Sequence, residues 1–278
     1  MILNKLIEIG LIAISTWGGS LFLELEDEKE QLVVHLTNPA KSGKLSLDIV
    51  NGDIHVIGYD GKDVIIEATA EVDNHVSRKK GNVRSDGMKR ITPTDGFEIT
   101  AEEDNNNVKV EMDEVMKTIN FTIKVPRKFS LKLSTVNNGN ILIENVSGSF
   151  ELENANGSIK MKNVSGSALA NTINGDLTAD FESILTGTPM AFTTLNGNVD
   201  VTLPPTVKAN IKMQSEMGEI YSDFDIDINK STFKVIRTTE KGVYKILKDK
   251  WTYGKINGGG AEILMKNMHG DVNIRKAK

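Results

Sequence analysis

The chain has 278 residues, 39% of them hydrophobic and 26% charged, with a formal net charge of −5 and no cysteine. This is the composition of a folded chain, not of an intrinsically disordered one. The acidic balance argues against nucleic acid as a partner, and the missing cysteines exclude disulfides, thiol nucleophiles and thiolate metal sites.

At the N-terminus, Lys5 precedes an apolar stretch from Ile9 to Ile14, followed by Gly18, Gly19 and Ser20. Residues 1–30 therefore read as a signal peptide or N-terminal leader, which places the protein outside the cytoplasm. Glu8 inside the stretch and the lack of an A-x-A site depart from that pattern, so an amphipathic helix or capping strand is the alternative, and with it a cytoplasmic location. The stretch is too short to span a bilayer, and no membrane span is expected in the mature chain.

Residues 31–278 read as one elongated all-β domain. Leu32, Val34 and Leu36 open the alternation, and Asn51-Gly52-Asp53-Ile54 gives a first turn-and-strand unit. Between residues 76 and 94 the pattern dissolves into charges around Ser77-Arg78-Lys79-Lys80, as a solvated insertion loop would. Strand patterns resume at 97–101, 108–112 and 119–125, the last ending at Pro126, which needs an edge or a corner because it lacks a donor.

From 137 to 181 a glycine returns every nine residues, at Gly139, Gly148, Gly157, Gly166 and Gly175. Apolar residues two apart follow the glycines: Ile141 and Ile143, Phe150 and Leu152, Ile159 and Met161, Leu177 and Ala179. Each pair marks a strand with one buried face. A further apolar residue closes each nine (Val146, Ala155, Val164, Ile173), and it reads as an inward corner residue. Asn145-Val-Ser-Gly-Ser149 recurs as Asn163-Val-Ser-Gly-Ser167, eighteen residues later. That identity favours a solenoid over an antiparallel meander, because a two-sided coil makes alternate units alike. The expected fold is a right-handed β-solenoid with two short strands per coil of roughly 18–22 residues. Glu144, Lys162 and Asp180 would then form an outward ladder of alternating sign. Beyond Gly175 the glycines spread and Pro189, Pro204 and Pro205 mark larger corners; residues 232–256 alternate with another rhythm, and Gly270-Asp-Val-Asn-Ile274 returns to the first form. About seven coils from residue 130 onward would make a rod of about 35 Å.

Little here announces chemistry. Asp223, Asp225 and Asp227 are spaced like calcium ligands, but Ile228 stands where the loop needs glycine and Lys234 where it needs an acid. A solvated strand with Phe224, Ile226 and Ile228 on its other face is the expectation. His35, His55, His75 and His269 lack metal-ligand spacing, and no serine sits in a nucleophile elbow. Catalytic, cofactor and metal residues are accordingly assigned as none. An enzyme alternative, a β-helix polysaccharide lyase or glycoside hydrolase, needs two carboxylates across a groove; Asp176 with Asp180, or Asp53 with Asp60, are the pairs on offer. Trp251 beside Tyr253 is the remaining candidate contact patch, since saccharides stack on aromatic rings.

The repeat after Val125-Pro126, the corner at Leu203-Pro204 and the closing Gly270–Ile274 unit resemble the putative-adhesin family of β-strand-repeat envelope proteins, similar in turn to autotransporter adhesin heads. The resemblance implies an exported location (periplasm, outer membrane or cell surface), an envelope-protein or glycan partner, self-association, and no catalytic residues. The expected function is a noncatalytic adhesin-like or structural module, with the enzyme above and an intracellular scaffold as alternatives.

Overall fold

The computed structural model describes residues 28–71, 97–112, 117–229, 235–240, 243–248 and 251–278. The insertion loop expected at 76–94 lies outside them, as does the leader apart from residues 28–30. Every described element is a strand. The first seven are β1 (Glu28–His35), β2 (Gly43–Asn51), β3 (Ile54–Tyr59), β4 (Asp63–Ala70), β5 (Ile99–Asp104), β6 (Asn107–Met112) and β7 (Ile119–Pro126). The repeat array supplies β8 (Phe129–Asn137), β9 (Ile141–Glu144), β10 (Ser147–Asn156), β11 (Ile159–Asn174) and β12 (Leu177–Ile184). Then follow β13 (Met190–Asn196), β14 (Val199–Leu203), β15 (Ala209–Ser215), β16 (Ile220–Ser222) and β17 (Asp227–Ile228). A hairpin of β18 (Val235–Glu240) and β19 (Val243–Lys248) stands apart, before β20 (Thr252–Ile256), β21 (Ala261–Asn267) and β22 (Val272–Lys276).

The pairings run in two ladders. One passes β6, β2, β8, β10, the second half of β11, β13, β21 and β15, all parallel. The other passes β7, β3, β9, the first half of β11, β12, β14, β22 and β16, also parallel. Within the array Asn156 pairs with Asn174 eighteen residues on, and Asn174 with Asn196 after twenty-two. The glycine spacing predicts both steps. The Asn-Gly pairs are corners between the ladders, not hairpins, which excludes the meander.

Chain order and stacking order differ near both ends. The rung of β2 and β3 lies between that of β6 and β7 and that of β8 and β9. The rung of β21 and β22 lies between that of β13 and β14 and that of β15 and β16. So the closing Gly270 unit is not the last rung, as a linear reading of the repeats suggests. Six rungs follow residue 127 and two come from before it. Antiparallel strands finish the ladders: β5 on β6 and β4 with β1 on β7 at one end, β20 with β17 on β15 at the other. A parallel stack would otherwise offer open edges to other chains, and such strands cover them.

The core fills the space between the ladders. All eight apolar residues expected to point inward from Ile141 to Ala179 are buried to 2% exposure or less. Large and small residues meet in register, Phe150 with Ala168 and Ala170 with Phe192, so the rungs stay close-packed. Phe181 meets Phe192 edge-to-face with centroids 6.1 Å apart. The corner residues divide. Val146 and Val164 are buried, but Ile173 is 48% exposed and Ala155 is half-buried. Each of the latter two lies between an inward Asn154 or Thr172 and an Asn-Gly turn, and strand alternation sends it outward. With Val136, Leu195, Met268 and Met217 they form an exposed apolar row beside the glycine corners.

Candidate functional site

Most polar groups of the repeat hold the corners together. A Cβ on Gly139 would lie 1.8 Å from the Gly52 carbonyl oxygen; on Gly157, 1.9 Å from that of Gly139; on Gly197, 2.1 Å from that of Gly175. The glycines are required because consecutive corners touch backbone to backbone. Each such carbonyl accepts a buried side-chain donor from the adjoining rung: Thr135 Oγ1 to Gly52 (3.1 Å), Asn154 Nδ2 to Gly139 (2.8 Å), Thr172 Oγ1 to Gly157 (2.8 Å), Thr194 Oγ1 to Gly175 (2.9 Å) and Asn267 Nδ2 to Gly197 (3.0 Å). The residue after each glycine continues the chain of bonds. The Asn140 amide donates to Asp53, Ser158 to Asn140, Asp176 to Ser158, Asn198 to Asp176, and Asp271 to Asn198. Sequence reasoning missed both series; the signal is a Thr or Asn three residues before the glycine (four before Gly139) and a short acceptor directly after it.

This accounts for three of the four carboxylates offered as catalytic candidates, Asp53, Asp60 and Asp176. Asp53 and Asp176 accept backbone amides in the ladder, and Asp60 takes a bidentate pair of bonds from Arg127 at 2.6 and 3.1 Å. Asp180 pairs across the ladder with Thr202. Of the alternating-sign ladder, Glu144 is engaged by Lys162 at 2.8 Å and by His55 at 2.9 Å. The hydrogen bond from Lys162, then that from His55, holds the Glu144 carboxyl below its ordinary range. Hydrogen bonds from Lys132 and Arg127 likewise lower Glu151 and Asp60. A glycosidase acid needs the opposite displacement.

Asp223, Asp225 and Asp227 are exposed, and only Asp227 lies in a strand, paired with Lys255. Phe224 is buried but Ile228 is 47% exposed, so the expected apolar face forms only in part. His35 lies beside Asp63 at 2.9 Å, His269 is exposed at a corner, and His75 falls outside the described residues. Among the described residues no three His, Cys, Asp or Glu side chains are grouped to hold a metal ion.

Trp251 and Tyr253 come together on the outer face of the C-terminal cap. In β20, Gly254 and Ile256 turn into the protein, which directs Tyr253 and Lys255 outward with the Trp251 that precedes the strand. Tyr253 pairs with Lys212 of β15, and Lys212 pairs on its other side with Leu264 of β21. The Lys212 ammonium lies 4.7 Å from the Trp251 ring centroid, and that of Lys266 5.9 Å from the same ring. Beyond Tyr253 a shallow depression of about 540 Å³ is lined by Asn210, Asp227, Asn229, Lys255 and Glu262. The tryptophan–tyrosine spacing is legible in the sequence; Lys212 and Lys266 are not, because register alone brings them from two other strands. The array contributes no aromatic to this surface: Phe129, Phe150, Phe181 and Phe192 are all buried.

Two ladders of short strands stacked through glycine corners define a β-solenoid-like protein. The chain belongs to the Toastrack DUF4097 family, whose model matches residues 127–275. That match bears out the family resemblance carried by the turn-and-strand repeat. Among solved structures, the chain is similar to a putative cell adhesion protein from Clostridium sporogenes, with 14% identity, a TM-score of 0.49, and coverage of 91% of this chain and 100% of that one. It is also similar to a putative adhesin from Bacteroides fragilis (12% identity, TM-score 0.38, 90% and 97% covered). A third is a putative lipid binding protein from Parabacteroides distasonis (9% identity, TM-score 0.30, 92% and 98% covered). No curated protein matches the chain.

Proposed function

We propose that the chain is a noncatalytic, adhesin-like binding module of the bacterial cell envelope, exported and wound as a right-handed coil with two strands per turn. The observation that carries this reading is the use of the repeat's polar groups. They bond to the next rung, from Asn120 through Asp53, Asn140, Ser158, Asp176 and Asn198 to Asp271. Such a stack makes a rigid frame with broad faces, suited to contact through many weak interactions. The lowered carboxyls of Asp60, Glu144 and Glu151 support the same reading, because they are held as anions by cationic neighbours instead of being poised to give up protons. Among the described residues no helix is long and apolar enough to cross a membrane.

The test is to incubate the purified chain with envelope fragments and isolated envelope glycans, measuring retention on the fragments and release of new sugar ends. Retention without release supports the reading. Release that disappears when a carboxylate pair is replaced would show an enzyme, and recovery of the native protein in the cytoplasm with Met1 intact would show an intracellular protein.

A further inference from the structure

The geometry points to a binding subsite for an acidic saccharide on the C-terminal cap, with the sugar ring against Tyr253 and Trp251 and its carboxylate, sulfate or phosphate between Lys212 and Lys266. This rests on the reading of the chain as a binding module and names the ligand class and the place.

Three observations converge. First, two ammonium groups from different strands, Lys212 of β15 and Lys266 of β21, meet at one indole ring. No ion pair joins either lysine to a carboxylate among the described residues, whereas Lys132 and Lys162, on the outer faces of the array, each take a glutamate partner. An anion within reach of both ammonium groups gains Coulomb energy from each. Second, two part-exposed aromatic side chains, Trp251 and Tyr253, share this face. A sugar presents C–H groups on one face of its ring, and these pack on an aromatic side chain that also carries a polar tip. Tyr253 forms one wall of the depression. Third, other lining groups suit hydroxyls: the amide oxygen of Asn210, whose Nδ2 donates to the Gly260 carbonyl, the ammonium of Lys255 and the carboxylates of Asp227 and Glu262. The amide oxygen and the carboxylates accept, and the ammonium donates.

A protein anion would meet the same lysines. The saccharide is favoured because the depression, lined also by Ile211 and Ile228, sets the carboxylates of Asp227 and Glu262 beside its one aromatic wall: sugar hydroxyls donate to them, whereas an ionised acidic side chain has no donor to offer.

The experiment uses the full chain with polygalacturonate, with its methyl ester as a neutral copy of the same backbone and with polyglutamate as an acidic peptide. Trp17→Phe leaves Trp251 as the sole tryptophan of the sequence, so its fluorescence reports the site directly. The expected result is a change in Trp251 emission with polygalacturonate, weakened as salt rises, and a loss of about tenfold or more in affinity in Lys212→Gln/Lys266→Gln. Glutamine keeps most of each stem over the ring, and retained thermal stability of the double variant shows that the loss is not unfolding. Equal binding of the methyl ester would overturn the acidic-group assignment, stronger binding of polyglutamate would make the site a peptide site, and binding unchanged by the double substitution would overturn its location. Retention on envelope fragments separates this proposal from its premise. If wild type and the double variant are retained equally, the subsite is wrong and the binding module stands. If neither is retained, the premise itself fails.

Discussion

Replacing Gly197 by alanine tests the stacking of the corners directly. The new Cβ would lie 2.1 Å from the Gly175 carbonyl oxygen, 2.6 Å from its carbon and 3.0 Å from the Asp176 nitrogen. All three are backbone atoms of the adjoining rung, so no side chain can swing away. Ordinary carbon–oxygen contact requires the rungs to part by about 1 Å, against a strand spacing of about 4.8 Å. Four bonds across this corner are then stretched: Gly175 N to Asn196 O, Leu177 N to Asn198 O, Asn198 N to Asp176 Oδ1 and Asn196 Nδ2 to Asn174 Oδ1, all between 2.7 and 2.9 Å. At about 1 kcal/mol for each net bond, with strain from the +150° φ of Gly197 added, the cost is about 4–6 kcal/mol. Gly187→Ala is the control. Its φ is +82°, yet nothing lies within 4 Å of the added Cβ, so only the backbone term of about 1 kcal/mol remains. Urea unfolding followed by circular dichroism compares the two. Equal costs would refute the stacking argument and leave glycine here as a matter of φ alone.

Other consequences follow from the same ladders. Asn154→Thr keeps a donor for the Gly139 carbonyl and removes the buried Asn154 Oδ1, which has no hydrogen-bond partner; unfolding free energy should rise by about 1 kcal/mol. Thr194→Val leaves the Gly175 carbonyl without its side-chain donor in a buried setting and should lower stability by about 1–2 kcal/mol. On the exposed apolar row, Ile173→Thr should change stability by no more than about 0.5 kcal/mol, whereas Phe192→Ala, fully buried, should cost about 3–5 kcal/mol in the same titration. Because the folded-state pKa of Glu144 is depressed, its contribution is present above the unfolded carboxyl pKa and is lost as pH falls through the folded one. Glu144→Gln should therefore reduce stability at neutral pH and flatten part of the acid limb below the ordinary carboxylate range. With Glu144 and Lys162 side chains 26% and 45% exposed, the size is about 0.5 kcal/mol.

The period of the glycines was enough to read the array, because backbone contact at a corner leaves no other residue a place. It also predicted the step from 18 to 22 residues, since the added corner residues push Gly197 away from Gly175. It could not reveal that β2 with β3 and β21 with β22 are placed one rung in from the ends, because strands in the second and last rungs carry the same alternation. Nor could it separate Ile173 from Val164. Both are apolar residues closing a nine, and only the intervening inward Thr172 turns Ile173 to solvent. At the cap, Trp251 and Tyr253 were visible two apart in the sequence. Lys212 and Lys266 were not, since their meeting at the indole depends on the register of β20, β15 and β21.

Hydrogen exchange on the full chain, alone and bound to envelope fragments, tests the division between frame and contact surface most directly. The account predicts that the corner amides of Gly157, Ser158, Gly175 and Asp176 are protected in the free chain and unchanged on binding, while residues 209–215 and 252–256 gain protection. Protection gained along 137–181, with the cap unaffected, would contradict it and make the repeat itself the binding surface.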